Sequence, residues 1–69
     1  MSDLSPRQIE LLAYMARTGK TRAEVGEDFS ISEQTVKNTL TGAYRKLRVR
    51  GAVEAYIALG WLTVPEAPA

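Results

Sequence analysis

The side chains best suited to chemistry in this sequence are cations, and they are concentrated in one stretch. Residues 36–50 contain five basic residues and no acidic one, whereas the stretches before and after each carry a net charge of −2. The five are Lys37, Arg45, Lys46, Arg48 and Arg50. Such a concentration of positive charge is typical of a surface that binds phosphate groups. A solvated helix face without a ligand is the simpler alternative.

The basic stretch overlaps a segment with a helical pattern. Ser32 is a good N-cap residue, because its hydroxyl can accept a hydrogen bond from the amide of Thr35. Beyond it, apolar residues recur at helical spacing, at Val36, Leu40, Ala43 and Leu47. The opposite face carries hydrogen-bonding side chains, namely Gln34, Lys37, Asn38, Thr41 and Arg45. We therefore predict a helix over about 33–47 that buries one side and offers the other to a polar, anionic partner.

A first helix is expected near the start of the chain. Ser5, Pro6 and Gln8 carry the features of a helix start, namely a cap, a proline in the first turn and a capping box. Gly19 can take the left-handed conformation that ends a helix, so the pattern predicts a helix over about 6–18. Its core face is expected at four positions, with Leu11 and Met15 at the margin: Ile9, Leu12, Ala13 and Ala16.

A second, shorter helix is expected over about 22–29. Thr21 and Glu24 form another capping box at its start. Gly26 in its middle costs up to about 1 kcal/mol relative to alanine, which indicates a close approach of the next helix; a tolerated imperfection is the alternative. A short helix, a tight turn and a longer helix make a helix-turn-helix, whose second helix lies in the DNA major groove. Helical hairpins also occur in bundles that bind no nucleic acid.

Composition excludes several classes of protein. A chain of 69 residues is long enough for one small domain. The absence of cysteine and histidine excludes disulfides and leaves none of the thiolate or imidazole ligands on which zinc sites are built. No catalytic constellation or nucleotide-binding loop is present, and the acidic residues Glu24, Glu27 and Asp28 are interpreted as a solvated face. Because signal and membrane-spanning patterns are also missing, we expect a cytoplasmic, non-enzymatic protein with no cofactor, small-molecule ligand or membrane partner.

Four segments together resemble the LuxR-type (GerE-type) helix-turn-helix domain: LSPR at 4–7, EVG at 24–26, ISEQTVKN at 31–38 and YRKLRVR at 44–50. The resemblance extends over about 4–62 and implies an all-α fold of four helices with a recognition helix at about 33–47. It also implies sequence-specific binding to double-stranded DNA, transcription regulation, and often dimerisation through the last helix. Residues 1–3 and 63–69 are expected to be a flexible N-terminus and a disordered tail. Since Met1 stands three residues before the domain, we expect a stand-alone module.

The sequence departs from the family pattern at several positions. Glutamate is usual in the family at Gln8, alanine at Gly26, histidine at Thr39 and a polar cap residue at Gly51. None of these differences removes a positive charge from the recognition face, so the implied DNA binding is retained. Thr39 and Gly42 could change which bases are preferred, and Gly42 should loosen the helix.

The site residues divide into two expected sets. Lys37, Asn38 and Thr41 are predicted to face base edges, since lysine suits guanine and asparagine can pair with adenine. Phosphate contacts are predicted at Thr35, Arg45, Lys46, Arg48 and Arg50.

A last helix is expected over 52–62, and apolar residues occur all around it. A helix of this kind must be covered on every side, and a core this small can cover only one. We expect Ala55, Leu59 and Leu62 to face inward, and we expect a weak homodimer to form through Val53, Ile57 and Trp61. The alternative is that Trp61 and Leu62 fold back on the core. A second functional hypothesis is an interaction module that masks a larger regulator or RNA polymerase, as an anti-activator does.

Overall fold

The structure, a computed structural model, describes residues 4–62, and these form four α-helices without any β-strand. The predictions for residues 1–3 and 63–69 lie outside the described residues. The helices are α1 (Pro6–Thr18), α2 (Arg22–Phe29), α3 (Glu33–Leu47) and α4 (Ala52–Ala58). The all-α fold of four helices is therefore confirmed, with α1, α2 and α3 at their predicted bounds. No helix in this part of the chain has the length and apolar character needed to cross a bilayer.

Local capping explains where α1 begins and ends. The Ser5 hydroxyl accepts from the Gln8 amide at 3.2 Å, and the Gln8 Oε1 atom accepts from the Ser5 amide at 2.9 Å. This reciprocal pair satisfies two of the amides that a helix start leaves without partners. At the other end Gly19 takes φ = 70° and donates its amide to the Met15 carbonyl at 2.8 Å, as expected of a left-handed helix terminus.

The turn between α2 and α3 is closed by backbone hydrogen bonds and by a missing side chain. The amide of Ile31 donates to the carbonyl of Gly26 at 2.8 Å. A Cβ atom added to Gly26 would lie 2.7 Å from the Ile31 carbonyl oxygen, so glycine permits the close approach that the sequence indicates. Ser32 then starts α3 as predicted, with its hydroxyl accepting from the Thr35 amide at 3.0 Å.

Helix α3 contacts each of the other three helices and supplies most of the central packing. The buried apolar residues come from every helix and from the segment before α1: Leu4, Leu11, Leu12, Val25, Val36, Leu40, Ala43 and Ala55. Because α3 is held on three sides, its remaining exposed surface has a fixed orientation relative to the domain.

The predicted core face of α1 is wrong: the buried residues lie about one position earlier in the sequence than predicted. Leu12 is fully buried as expected, but so is Leu11, whereas Ile9 is 39% exposed and Ala16 is exposed. The cause is Gln8, a polar residue at a core-facing position that is only 9% exposed. Its amide oxygen is satisfied by hydrogen bonds, so burial of a polar group is tolerated there. A pattern built on apolar residues alone cannot detect such a position.

Helix α4 is shorter than predicted, since it ends at Ala58 rather than near 62. Gly60 takes φ = 79° and donates its amide to Ile57, while the Trp61 amide donates to the Tyr56 carbonyl at 2.8 Å. This is a Schellman motif, and the Tyr56 and Trp61 rings stack across it with centroids 6.1 Å apart. As a result Leu62, which we expected to face inward, is 44% exposed.

Candidate nucleic-acid interface

The surface of α3 that faces away from the core is polar and basic. Gln34, Lys37, Asn38 and Arg45 are exposed, and Thr41 is half-buried beside them. The Gln34 side-chain amide donates to the Asn38 Oδ1 atom at 2.9 Å, which orients both side chains one turn apart. The Asn38 amide group can still donate to an outside acceptor. This surface therefore presents hydrogen-bond donors at several positions along a helix of fixed orientation.

Two threonine hydroxyls on α3 take part in local hydrogen bonds. The Thr35 hydroxyl lies 2.9 Å from that of Ser32, within the helix cap. The Thr39 hydroxyl donates to the Thr35 carbonyl at 2.9 Å, a pattern in which a side chain satisfies its own helix. Thr35 remains exposed at the helix start, where we expect a phosphate contact.

At the other end of α3, the Lys46 side chain is hydrogen-bonded to a residue of α1. Its Nζ atom donates to Gln8 Oε1 at 3.2 Å, the same oxygen that caps α1. A Cβ atom added to Gly42 would lie only 3.0 Å from the Gln8 Nε2 atom. Gly42 therefore makes room for a buried side chain of α1 at the crossing of the two helices, a role that its sequence did not reveal.

The last basic residues lie where α3 ends. Arg48 takes φ = 59° and ψ = 43°, the left-handed conformation, and donates its amide to the Arg45 carbonyl at 3.2 Å. Arg50 follows in the loop before α4, and both arginines are exposed. Arginine in this conformation costs about 1–2 kcal/mol compared with its right-handed form, so the cation occupies a site that glycine would favour.

The structure adds one basic residue that the sequence analysis missed. Arg22, the first residue of α2, lines an open cleft of about 420 Å³ together with Glu33, Gln34 and Lys37 of α3. Arg22 and Lys37 are distant in sequence, and only the crossing of α2 and α3 brings them together. The charge pattern could have indicated Arg22, but it lies in the half of the chain whose net charge is negative.

Another cluster of charged groups has a structural role. Asp28 accepts hydrogen bonds from the Lys20 ammonium and the Tyr14 hydroxyl, each at 2.5 Å. These contacts connect α2 to α1 and the loop after it. The hydrogen bond between Lys20 and Asp28 is the main cause of two pKa shifts. It raises the pKa of Lys20 to about 12, and it holds the pKa of Asp28 below its ordinary value. Asp28 therefore links α2 to α1 and to the loop after it, and does not lie only on a solvated acidic face.

Helix α4 and the turn after it expose large apolar side chains. Val53 is 60% exposed, Ile57 38% and Trp61 43%. Ala55 is fully buried and Leu59 is half-buried on the side toward the core, as predicted for those two residues.

These features define a class of protein. Two helices joined by a tight turn, the second with an exposed basic face fixed by three neighbouring helices, form a helix-turn-helix domain of the kind that binds DNA. Across residues 2–59 the chain matches the family model GerE, described as bacterial regulatory proteins of the luxR family. The chain belongs to the LuxR family of bacterial regulatory proteins.

A curated relative supports this assignment. Over 59 residues the chain is 37% identical to the Escherichia coli (strain K12) protein named "Putative HTH-type transcriptional regulator YhjB". The matched segment covers 86% of this chain but only 29% of that relative, so the similarity concerns the helix-turn-helix region alone. No solved structure matches the chain significantly.

Proposed function

We propose that this domain binds double-stranded DNA sequence-specifically and regulates transcription, with α3 in the major groove. The exposed face of α3 carries this proposal, because its donors are held in one orientation by three packed helices. Family membership supports DNA binding by a regulator. A cytoplasmic location follows from that role.

Within this proposal, Asn38 and Thr41 face base edges and Arg45 crosses to the phosphate backbone. Asparagine can pair bidentately with adenine in the major groove, and the contact from Gln34 leaves the Asn38 amide group available as donor. Lys46, Arg48 and Arg50 extend the phosphate contacts beyond the end of the helix, and Thr35 adds one at its start. Phosphate contacts fix the position of the helix without reading sequence.

The test is a titration of the domain with random duplex DNA and with a duplex selected for tight binding from a random pool. Binding should weaken steeply with salt, by about 3–4 log units per log unit of salt per subunit if about four phosphates are contacted. Asn38→Ala should weaken binding to the selected duplex by about 1–3 kcal/mol and relax preference at one or two base pairs. Retained binding with a flat salt response would contradict the proposal.

We further propose a weak homodimer through an apolar surface formed by Val53 and Ile57 of α4 and by Trp61 in the turn after it. Exposed large apolar side chains often mark an interface, and a two-fold axis would bring the same residues of a second copy against them. Half-sites on the DNA should then lie about one helical turn apart. RNA polymerase or another regulator would be a further partner of a DNA-bound dimer.

The interface is tested with Ile57→Asp and with Val53→Asp as its matched variant. Val53 is the more exposed of the two, so the charge there should leave the fold intact. Both variants should lose dimers in sedimentation and lose cooperative DNA binding, while the helix content by circular dichroism persists. If Ile57→Asp unfolds and Val53→Asp still dimerises, Ile57 belongs to the core and the interface lies elsewhere.

A further inference from the structure

The cleft between the starts of α2 and α3 places two cations from different helices together. Arg22 is the first residue of α2, and Lys37 lies in the second turn of α3; both side chains are exposed and line the same cleft of about 420 Å³. The positive charge of Arg22 also acts on Tyr44, further along α3, where it opposes the effect of burial that raises the pKa of that hydroxyl. Arg22 borders this cleft from the α2 side, opposite residues of α3.

Neither cation is neutralised within residues 4–62. Two of the other basic side chains in this part of the chain have acidic partners: Arg7 pairs with Glu10 at 3.1 Å and Lys20 pairs with Asp28 at 2.5 Å. Arg22 and Lys37 form no ion pair there, although Glu33 lines the same cleft. Two neighbouring cations without a bound counter-charge favour an anionic ligand between them.

We propose that Arg22 and Lys37 bind the same phosphate of the DNA backbone, at the edge of the groove that α3 enters. This inference rests on the proposed DNA binding. The arginine fork can donate two parallel hydrogen bonds to phosphate oxygens, and the lysine ammonium supplies a compact charge. The pair joins the first helix of the helix-turn-helix to the second through one ligand group.

This assignment changes the role of Lys37 from the one expected from sequence. Because successive residues of a helix are about 100° apart, Lys37 lies beside α2, whereas Asn38 points further out from the domain. Lys37 therefore positions the helix, and base reading falls to Asn38, Thr41 and Gln34. Loss of Lys37 should weaken binding to every sequence about equally and leave the sequence preference unchanged.

The experiment compares Arg22→Ala, Lys37→Ala and the double variant on the selected duplex and on random duplex. Each single variant should weaken binding to both duplexes by roughly fivefold to tenfold per subunit at 0.1 M salt and make the salt slope about 0.9 less steep. The double variant should lose little more than either single one, because both residues serve one phosphate. Arg22→Lys keeps the charge and should retain most of the salt slope.

Glu33→Gln provides a control of opposite sign. Removing a carboxylate that lines the cleft should strengthen binding to both duplexes, whereas an unchanged affinity would indicate that the cleft does not face DNA.

The shared phosphate is located by replacing single backbone phosphates of the selected duplex with uncharged methylphosphonates. One position should abolish the difference between wild type and each single variant. Two separate positions, additive losses, or a changed base preference in Lys37→Ala would overturn the shared contact. If the wild-type domain binds no duplex at all, the proposed function itself fails; if it binds but Arg22→Ala binds equally well, only this inference fails.

Discussion

Replacing Arg48 with glycine should stabilise the domain while weakening its binding to DNA. Arg48 holds φ = 59° and ψ = 43°, a conformation that costs an L-residue about 1–2 kcal/mol and costs glycine nothing. Glycine gives back about 0.5–1 kcal/mol through the greater freedom of the unfolded chain. Loss of a cation near the C-terminus of α3 removes up to about another 0.5 kcal/mol. The expected net gain is about 0.5 kcal/mol, or about 2–4 °C in Tm for a domain of this size.

Ser30 offers a matched control, since it also lies in the left-handed region, at φ = 58°, but carries no charge. Ser30→Gly should gain about 0.5–1 kcal/mol and leave DNA binding as it was. Arg48→Gly should make the salt slope about 0.9 less steep per subunit, whereas Arg48→Lys should keep the slope and gain no stability. The assays are thermal and urea unfolding by circular dichroism, and DNA titration at several salt concentrations. A loss of stability in both glycine variants would refute the conformational argument, and an unchanged slope in Arg48→Gly would remove Arg48 from the interface.

Three further predictions concern stability and its link to charge. Gly51→Ser should raise the free energy of unfolding in urea by about 0.5–1 kcal/mol. Gly51 caps α4 without a side-chain hydrogen bond, and a Cβ atom added there would meet no atom within 4 Å. No gain would mean that α4 does not contribute to global stability. Asp28→Asn should lower Tm at neutral pH, because the lowered pKa of Asp28 contributes stability while the carboxylate is ionised. The difference from wild type should shrink as pH falls below the ordinary Asp28 value of 3.8 and be lost below the lowered pKa of the folded state; a difference that stays constant as pH falls through this range would contradict the ion pair with Lys20. Gln8→Glu should keep or raise Tm, because the hydrogen bond from the Lys46 ammonium to the uncharged Gln8 amide, at 3.2 Å, becomes an ion pair. The same change should weaken DNA binding, because it places a negative charge beside that ammonium. Unchanged affinity would show that Lys46 does not contact phosphate.

Local chemistry made the helix bounds predictable. The caps at Ser5, Thr21 and Ser32 satisfy backbone amides that would otherwise lack partners, so their positions in the sequence determine where α1, α2 and α3 begin. Gly19 likewise marks an end because only a residue without a side chain takes its conformation at no cost. Ser30 and Arg48 take the same conformation without being glycine, and sequence alone gives no indication of that.

Features that depend on contact between distant elements could not be read in the same way. Gln8 was recognised as a cap, but its burial depends on the room left by Gly42 and on the reach of Lys46. Arg22 joins the candidate interface only through the crossing of α2 and α3. The end of α4 was misplaced because Gly60 stands within an apolar run, where periodicity alone favours continuing the helix.

The shortness of α4 has a consequence for how the domain opens. Isolated helices of fewer than about 12–15 residues are marginal in water, and α4 has seven residues, of which only Ala55 is fully buried. Its amides should exchange with deuterium well before those of α3, by local opening that leaves the other helices folded. If a second copy covers Val53 and Ile57, that opening must be suppressed when two subunits meet. The exchange rate of α4 would then depend on protein concentration, so assembly of the regulator would be measurable as the folding of a single helix.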